Sequence, residues 1–262
     1  MGNRKGGFEV LSIKFWKYEA AGNDFVMIDN RSGFFDISDK DLIAKMCHRR
    51  FGVGADGLIE VTEHPEYDFA MKYFNSDGSG PFMCGNGARA AVLFAKNRGF
   101  FTKNKIKFLA SDGEHLGDLS EEMINLTIMK PSEMKKLEED QVAYYIFTGT
   151  DHVVIPTENL EEFDITISGP IYRFKYDTNV NYIEQIDGNL WQIRTWERGV
   201  ENETYACGTG ATASAFYIKE KEGIDFPISL QAKGGELTVN YKKNKLWLQG
   251  PANEVFEGNF NL

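Results

Sequence analysis

Two short segments of this chain have nearly the same sequence, and each places a cysteine in front of a Gly-x-Gly turn. The first, Met83–Ala88, contains Cys84, and the second, Ala206–Ala211, contains Cys207. Glycines before a helix often form only a tight turn, so one such segment would be weak evidence of function. Two of them in a chain of 262 residues indicate a duplicated fold that presents a pair of thiols.

The similarity extends beyond the cysteines. An alanine-rich run after each turn predicts a helix that ends before Gly99 or Gly223, because glycine tolerates the left-handed backbone past the last helical turn. Three strand-like runs then follow in the same order in both halves: Ile106–Ala110, Glu114–Leu119 and Met123–Met129, and then Ile228–Ala232, Glu236–Tyr241 and Leu246–Gln249. We interpret the repetition as an internal duplication of β-rich α+β halves, each wrapped around one helix.

Both predicted helices are apolar on most of their sides. They cover Ala88–Lys96 and Ala211–Glu220. A helix of this kind is usually buried, so we expect each one inside a curled sheet. The N-terminus of each helix would then bring its cysteine to the place where the two halves meet.

The domain boundaries follow from composition. Residues 1–8 have no apolar patterning and are expected to form a disordered extension. The acidic, polar stretch Lys130–Asp140 is the best candidate boundary. We therefore predict an N-terminal half over 9–130 and a C-terminal half over 131–262, with the last strand able to pack on the N-terminal half.

Charge and cysteine content argue against several classes of partner. The chain has 29 Lys and Arg against 39 Asp and Glu, a net charge of −10, whereas nucleic acids and anionic membranes need a basic surface. No apolar run approaches the ~20 residues of a membrane span, and no signal-peptide pattern is found. Three cysteines without C-x-x-C spacing predict free thiols in a reducing cytoplasm.

Two thiols at helix N-termini predict acid–base chemistry at a carbon atom. The unpaired N–H groups and partial positive charge of a helix N-terminus stabilise a thiolate and lower its pKa. The same N–H groups can hold a substrate carboxylate, and donors aimed at it stabilise the enolate-like charge that forms when an α-proton leaves. Two opposed thiols can remove a proton from one face of a carbon and return it to the other. The alternative is that both are buried structural thiols.

Five motifs, in order along nearly the whole chain, resemble the diaminopimelate epimerase family. They are Asn23-Asp24-Phe25, Phe74–Gly78, Cys84–Arg89, Glu197–Val200 and Cys207–Gly210. The resemblance implies two pseudo-symmetric α+β domains, each a curled, mostly antiparallel, barrel-like β-sheet around a central helix, with the active site in the interdomain cleft. It also implies a homodimeric isomerase that interconverts L,L- and meso-diaminopimelate for lysine and peptidoglycan precursor synthesis. This amino acid would be its small-molecule substrate, and neither pyridoxal phosphate nor a metal would be required.

The resemblance also implies roles for residues at matching motif positions. Cys84 and Cys207 would exchange the roles of thiolate base and thiol acid. The α-carboxylate would be held by Gly85, Asn86, Gly208 and Thr209. Further substrate contacts would come from Asn23, Asn75, Asn179, Glu197 and Arg198, with His152 as possible polar support. Arg198 suits a bidentate grip on the distal carboxylate.

The sequence departs from the family pattern at two places near these residues. At the first, Glu19–Gly22 replaces a more glycine-rich approach to Asn23. At the second, the family usually has Gly-Asn-Pro-His or Gly-Ser-Pro-His where this chain has Gly149-Thr150-Asp151-His152. Thr150 shortens a possible substrate contact, and Asp151 adds a negative charge. A cofactor-independent racemase of another amino acid is therefore the main alternative. A thiol redox switch and a non-catalytic anion-binding module are two others.

Overall fold

A computed structural model describes residues 12–120, 123–137 and 142–262. The predicted extension over residues 1–8 lies outside the described residues, as does the end of the proposed boundary stretch. None of the helices in the described part of the chain is long and apolar enough to cross a membrane.

The first part of the chain forms seven strands and two helices. They are β1 (Ser12–Ala20), β2 (Asn23–Asp29), α1 (Lys40–Cys47), β3 (Gly57–Thr62), β4 (Phe69–Asn75), α2 (Gly85–Asn97), β5 (Lys105–Ala110), β6 (Gly113–Asp118) and β7 (Ile124–Ile128).

The second part repeats this order with a few additional elements. They are β8 (Met134–Lys136), β9 (Tyr144–Phe147), β10 (Asp151–Pro156), α3 (Ile165–Tyr176), β11 (Asn179–Asp187), β12 (Leu190–Glu197), β13 (Asn202–Thr204), α4 (Gly208–Tyr217), a π-helical turn (Ile218–Glu222), β14 (Ile228–Ala232), β15 (Gly235–Lys242), β16 (Lys245–Gly250) and β17 (Asn253–Asn261).

Strand pairing shows the duplication directly. In the first half, β1–β2 is antiparallel, β2–β3 parallel, β3–β4 antiparallel, β4–β5 parallel, and β5–β6–β7 antiparallel. In the second half, β9, β10, β11, β12, β14, β15 and β16 pair in the same sequence with the same directions. The prediction of an α+β protein built from two pseudo-symmetric curled sheets is confirmed.

Each half wraps its sheet around one helix. Residues of α2 pack with β1–β7 in one apolar core, and residues of α4 pack with β9–β16 in another. The alanines Ala88, Ala91, Ala211 and Ala215 are fully buried, because small side chains let strands approach the helix from several sides. The sheet of each half is curled and remains open.

Two strand pairings join the halves. β7 of the first half pairs antiparallel with β16 of the second. The last strand, β17, returns to the first half and pairs with β1, from Ser12 opposite Asn261 to Glu19 opposite Asn253. All strands of the described chain therefore belong to one continuous sheet of 17 strands.

The spacing of Ser38 and Asp41 resembles a capping box, which predicts Ser38 as the N-cap of the first helix. The N-cap is instead Asp39, whose carboxylate accepts from the Leu42 N–H at 2.9 Å. Helix α3 was not predicted, because Gly169 and Pro170 interrupt it and β-branched residues fill its first turn. Gly169 is required there, since a Cβ atom would lie 2.7 Å from Cγ of Trp196.

Candidate functional site

The two cysteine segments cap the buried helices. Cys84 is the N-cap of α2, and its sulfur accepts from the Gly87 N–H at 3.4 Å. Cys207 is the N-cap of α4, and its Sγ lies 3.4 Å from the Thr209 hydroxyl. Both cysteines are half-buried and free. Each thiol therefore lies where a helix presents unpaired N–H groups.

The two helix N-termini lie against each other. A Cβ atom added to Gly208 would be 3.8 Å from the Cα of Gly85 and 2.8 Å from the Leu248 side chain. The first turns of the two helices are therefore in van der Waals contact at Gly85 and Gly208. A side chain at Gly208 would also have to displace Leu248.

Asn86 connects the two cysteine segments through its buried side-chain amide. Its Nδ2 donates to the carbonyl of Ala206 at 2.9 Å, the residue before Cys207. Its Oδ1 accepts from Nη2 of Arg89 at 2.7 Å. The hydrogen bonds of Asn86 therefore fix the first turn of α2 relative to the entry of α4.

Arg89 is a buried cation behind this connection. It is fully buried, and its Nε donates to the carbonyl of Pro251 at 3.3 Å. Burial lowers its pKa to about 10, so it stays charged at neutral pH. Its positive charge opposes the rise in the pKa of the Cys84 thiol.

Asn23 lies beside Cys84. Its Oδ1 is 3.7 Å from the Cys84 sulfur and 3.5 Å from Nδ2 of Asn86. Its own Nδ2 donates to the Asp56 carboxylate at 2.5 Å. Asp56 also accepts from Arg49 at 2.5 Å, so an ion pair at the surface orients the Asn23 amide. Sequence reasoning missed Asp56, because the glycine-rich segment around it contains no motif that marks a site.

Burial dominates the ionisation of both thiols. It raises the pKa of Cys84 to about 11 and that of Cys207 to about 12. Backbone N–H groups of Gly87 and Gly210 act in the opposite direction but do not compensate. The N–H groups of the helix N-termini lower these pKa values as expected, but the loss of hydration exceeds their effect.

Glu197 is a carboxylate whose charge affects the ionisation of both thiols. It ends β12, and its negative charge raises the pKa of Cys84 and of Cys207. Burial also raises the pKa of Glu197 itself, with Asp56 adding to the effect and Thr204 opposing it. A carboxylate with a raised pKa beside two thiols can take up a proton that a thiol releases.

His152 is fully buried and makes hydrogen bonds to two neighbouring side chains. Burial lowers its pKa to about 3, so the ring is neutral. Its Nδ1 lies 3.0 Å from Nδ2 of Asn181, and its Nε2 lies 3.0 Å from the Thr150 hydroxyl. Since Nδ2 can only donate, Nδ1 accepts and the ring proton is on Nε2.

Asn181 was missed by sequence reasoning because no local motif marks it. Its Oδ1 accepts from Thr195 at 3.0 Å. A Cβ atom on Gly210 would lie 2.2 Å from this oxygen. The Asn181 side chain therefore packs against the first turn of α4, which follows Cys207, and His152 supports Asn181 by a hydrogen bond.

Arg198 and Asn179 lie together at the edge of the second half. The Arg198 N–H donates to Oδ1 of Asn179 at 2.9 Å. Its Nη1 donates to the Asp177 carbonyl at 2.6 Å and to the Asp151 carboxylate at 3.3 Å. The guanidinium therefore already has a carboxylate partner within the protein.

Asn75 is placed differently from the other candidates. It ends β4, and its side-chain amide donates to the Ser79 hydroxyl at 3.1 Å, across the turn before Cys84. Its contacts are those of a turn residue. The structure thus brings Asn23, Asn86, Thr209 and Glu197 around the thiols by direct contact or charge. Asn75 lies at the end of β4, whereas Asn179 begins β11 and Arg198 follows its neighbour β12.

This arrangement can supply an acid, a base and an anion site at one place. Two thiols come from equivalent positions of the two halves. The two helix N-termini lie in contact beside them, and N–H groups at such positions can stabilise a carboxylate and the charge that develops on it.

Comparison with known proteins agrees with this geometry. The family model described as "Diaminopimelate epimerase" matches residues 15–132 and 144–255. A diaminopimelate epimerase of Flavobacterium psychrophilum is 40% identical over 256 residues, covering 94% of this chain and 99% of that protein. One from Aquifex aeolicus is 37% identical, with 94% and 97% covered. The chain belongs to the diaminopimelate epimerase family.

Solved structures show the same fold at low sequence identity. A PhzF-family phenazine biosynthesis protein of Bacillus anthracis has a TM-score of 0.76 at 18% identity, covering 96% of this chain and 100% of its own. A hydroxyproline epimerase of Agrobacterium vitis, solved with bound trans-4-hydroxy-L-proline, has a TM-score of 0.68 at 11% identity, with 96% and 93% covered. These likenesses concern the fold alone.

Replacement of Asn86 by alanine should destabilise the protein. It removes the acceptor of Arg89 and the donor to the Ala206 carbonyl, leaving buried polar groups without partners. We expect a loss of about 3 kcal/mol in the free energy of unfolding, measured by urea denaturation. Asn104→Ala, at an exposed position before β5, is the control and should change stability little. Equal effects of both substitutions would contradict the role of Asn86.

The raised thiol pKa values predict slow alkylation at neutral pH. With a pKa of about 11 for Cys84, its reaction with iodoacetamide at pH 7 should be on the order of a hundredfold slower than that of free cysteine. Because only the thiolate reacts, the rate should rise about tenfold per pH unit from 7 to 10. Cys207→Ser protein isolates Cys84, and Cys84→Ser protein isolates Cys207. A plateau in rate near pH 8 would contradict the assignment.

Proposed function

We propose that this member of the diaminopimelate epimerase family interconverts L,L- and meso-diaminopimelate, and that Cys84 and Cys207 are its two acid–base residues. The observation that supports the proposal best is the meeting of two equivalent helix N-termini, each capped by a free cysteine. The reaction would serve lysine and peptidoglycan precursor synthesis, as family membership implies.

One thiolate would remove the α-proton while the opposite thiol donates a proton to the other face of the carbon. The Cα–H bond breaks to the base, a C–H bond forms from the acid, and the two sulfurs exchange protonation states. The reverse reaction uses the opposite assignment. Because two equivalent groups flank the carbon, the configuration inverts without a second base from elsewhere.

The α-carboxylate would bind at the N–H groups of the two first helical turns, around Gly85, Asn86, Gly208 and Thr209. These donors point to the oxygen atoms on which negative charge accumulates as the proton leaves. The side chains of Asn23 and Asn86 add polar contacts beside Cys84. We propose that this set of donors acts without an organic cofactor or a metal.

A thiolate must form although both thiols have raised pKa values. Entry of the substrate brings a positively charged α-ammonium group next to the sulfurs, which favours the thiolate. Glu197 is placed to accept the released proton or to bind the ammonium group. His152, being neutral and buried, would support the site through Asn181 and the α4 turn.

One observation favours the alternative of a racemase for another amino acid. Arg198, which would bind the distal carboxylate, is already paired with Asp151 at 3.3 Å. A panel of L-amino acids scored for racemisation separates the two substrates. We also propose a cytoplasmic location, which suits three free cysteines.

Proton exchange in D₂O tests the proposal. With L,L-diaminopimelate, the meso product should carry deuterium at the inverted α-carbon, as mass spectrometry will show. Cys84→Ser and Cys207→Ser should each lower the rate of epimerisation by about 10²-fold or more, because acid–base groups typically contribute that much. Cys47→Ala, which changes the third and buried cysteine of α1, should leave the rate within a few fold. Absence of deuterium in the product would refute the proposed reaction.

We further propose that two copies associate through β17. Val255 and Phe256 of this strand are 55% and 48% exposed, although they are adjacent and point to opposite faces. Among the described residues β17 pairs with β1 on one side only, and an exposed edge strand is a template for pairing with another chain.

The association predicts a mass of twice 29.7 kDa in light scattering after size exclusion. The double substitution Val255→Lys and Phe256→Lys should give a monomer, because it places charges in the contact. Ile171→Lys, at another exposed apolar position on α3, is the control and should remain dimeric. A monomeric parent protein at micromolar concentration would rule out the dimer.

A further inference from the structure

We propose that Asp151 is a specificity-determining residue that selects substrates with an ammonium group next to the distal carboxylate. The inference rests on the proposed function, since it concerns the far end of the same substrate. It starts from a residue that the family pattern does not provide, because proline is usual at this position.

Asp151 and Arg198 form an ion pair at the edge of the second half. Nη1 of Arg198 lies 3.3 Å from Oδ2 of Asp151, with 30% and 34% of the side chains exposed. The other carboxylate oxygen, Oδ1, accepts from the Tyr145 hydroxyl at 2.5 Å. This hydrogen bond raises the pKa of Tyr145 to about 12, so Tyr145 stays a donor at neutral pH.

The spacing of the two charges is set by the backbone. The side-chain amide of Asn179 donates to the carbonyl of Asp151 at 3.0 Å and accepts from the N–H of Arg198 at 2.9 Å. One side chain thus ties together the two chain segments that bear the opposite charges. The pair is therefore a fixed feature of the fold.

Both members of the pair keep bonding capacity for a ligand. In the described chain, the hydrogen bonds of the Arg198 guanidinium all use Nη1, which leaves Nε and Nη2 for two parallel bonds to a carboxylate. Each oxygen of an ionised carboxylate has two acceptor positions, so Asp151 can accept from an ammonium group as well.

The pair is connected to the segment that holds Cys207. The Thr148 hydroxyl donates to the carbonyl of Thr209, in the first turn of α4, at 3.2 Å. Thr148 is three residues before Asp151, so the ion pair lies on the chain that passes the α4 N-terminus. A substrate that reaches from the thiols along this edge would present its distal end to Asp151 and Arg198.

The charges of the pair match the distal end of diaminopimelate, which has an ammonium and a carboxylate on one carbon. Its carboxylate would bind Arg198 and its ammonium would bind Asp151. A substrate with a carboxylate alone would leave Asp151 facing like charge. Arg198 by itself selects any acidic end, whereas Asp151 adds the requirement for the amine.

The test compares L,L-diaminopimelate with L-2-aminopimelate, which lacks only the distal ammonium group. We will measure kcat/KM for α-deuterium incorporation and Kd by calorimetry, using the full chain. The parent protein should have the higher kcat/KM and the lower Kd for diaminopimelate. Asp151→Asn should reduce this preference, expressed as the ratio of each constant between the two substrates, at least tenfold. Asp151→Ser provides a second variant if the first one does not fold.

Tyr145→Phe is the matched control. It removes a hydrogen bond from the same carboxylate but keeps the charge, so the preference for diaminopimelate should persist. An unchanged Kd ratio in Asp151→Asn would overturn the inference. If the parent protein binds diaminopimelate but exchanges no α-proton, the proposed reaction fails, and the Kd ratio still decides the role of Asp151.

Discussion

The hydrogen bond from Asn86 to the carbonyl of Ala206 is the interaction on which the site depends. It joins the first turn of α2 to the residue before Cys207 and therefore connects the duplicated halves at their two cysteines. Beside that bond, Gly85 and Gly208 bring the first turns of the two helices into van der Waals contact. Arg89 holds the other end of the amide, so the relative position of the two thiols is determined by a buried network.

Burial in this geometry makes ionisation of the two thiols unfavourable. A helix N-terminus favours a thiolate by its N–H groups, but a half-enclosed position between two domains removes the water that stabilises the charge. Glu197 adds a second negative group near both sulfurs, and Arg89 opposes it from behind Cys84. Both thiols are therefore neutral at rest. The positive charge of a ligand has to lower their pKa values before a thiolate forms.

The features that repeat along the chain could be predicted from the sequence. Features that arise only from contacts between residues distant in the sequence could not. The Cys-Gly-x-Gly segments and the strands after them recur, so the duplication and the two central helices could be predicted. Helix α3 could not, because Gly169 is there to make room for Trp196 on another element. Asn181 and Asp56 have no local signature, since their roles come from contacts with the α4 turn and with Asn23.

The pairing of β1 with β17 has a consequence for synthesis of the chain. Ser12 lies opposite Asn261, so β1 acquires this neighbour only after the chain from Ser12 to Asn261 has been translated. At about 5 to 20 residues per second, roughly 10 to 50 s separate the two events. During this time the emerging first half has an unpaired edge at β1. The N-terminal half therefore leaves the ribosome before the C-terminal half. It completes its sheet later, because β17 is translated after β16.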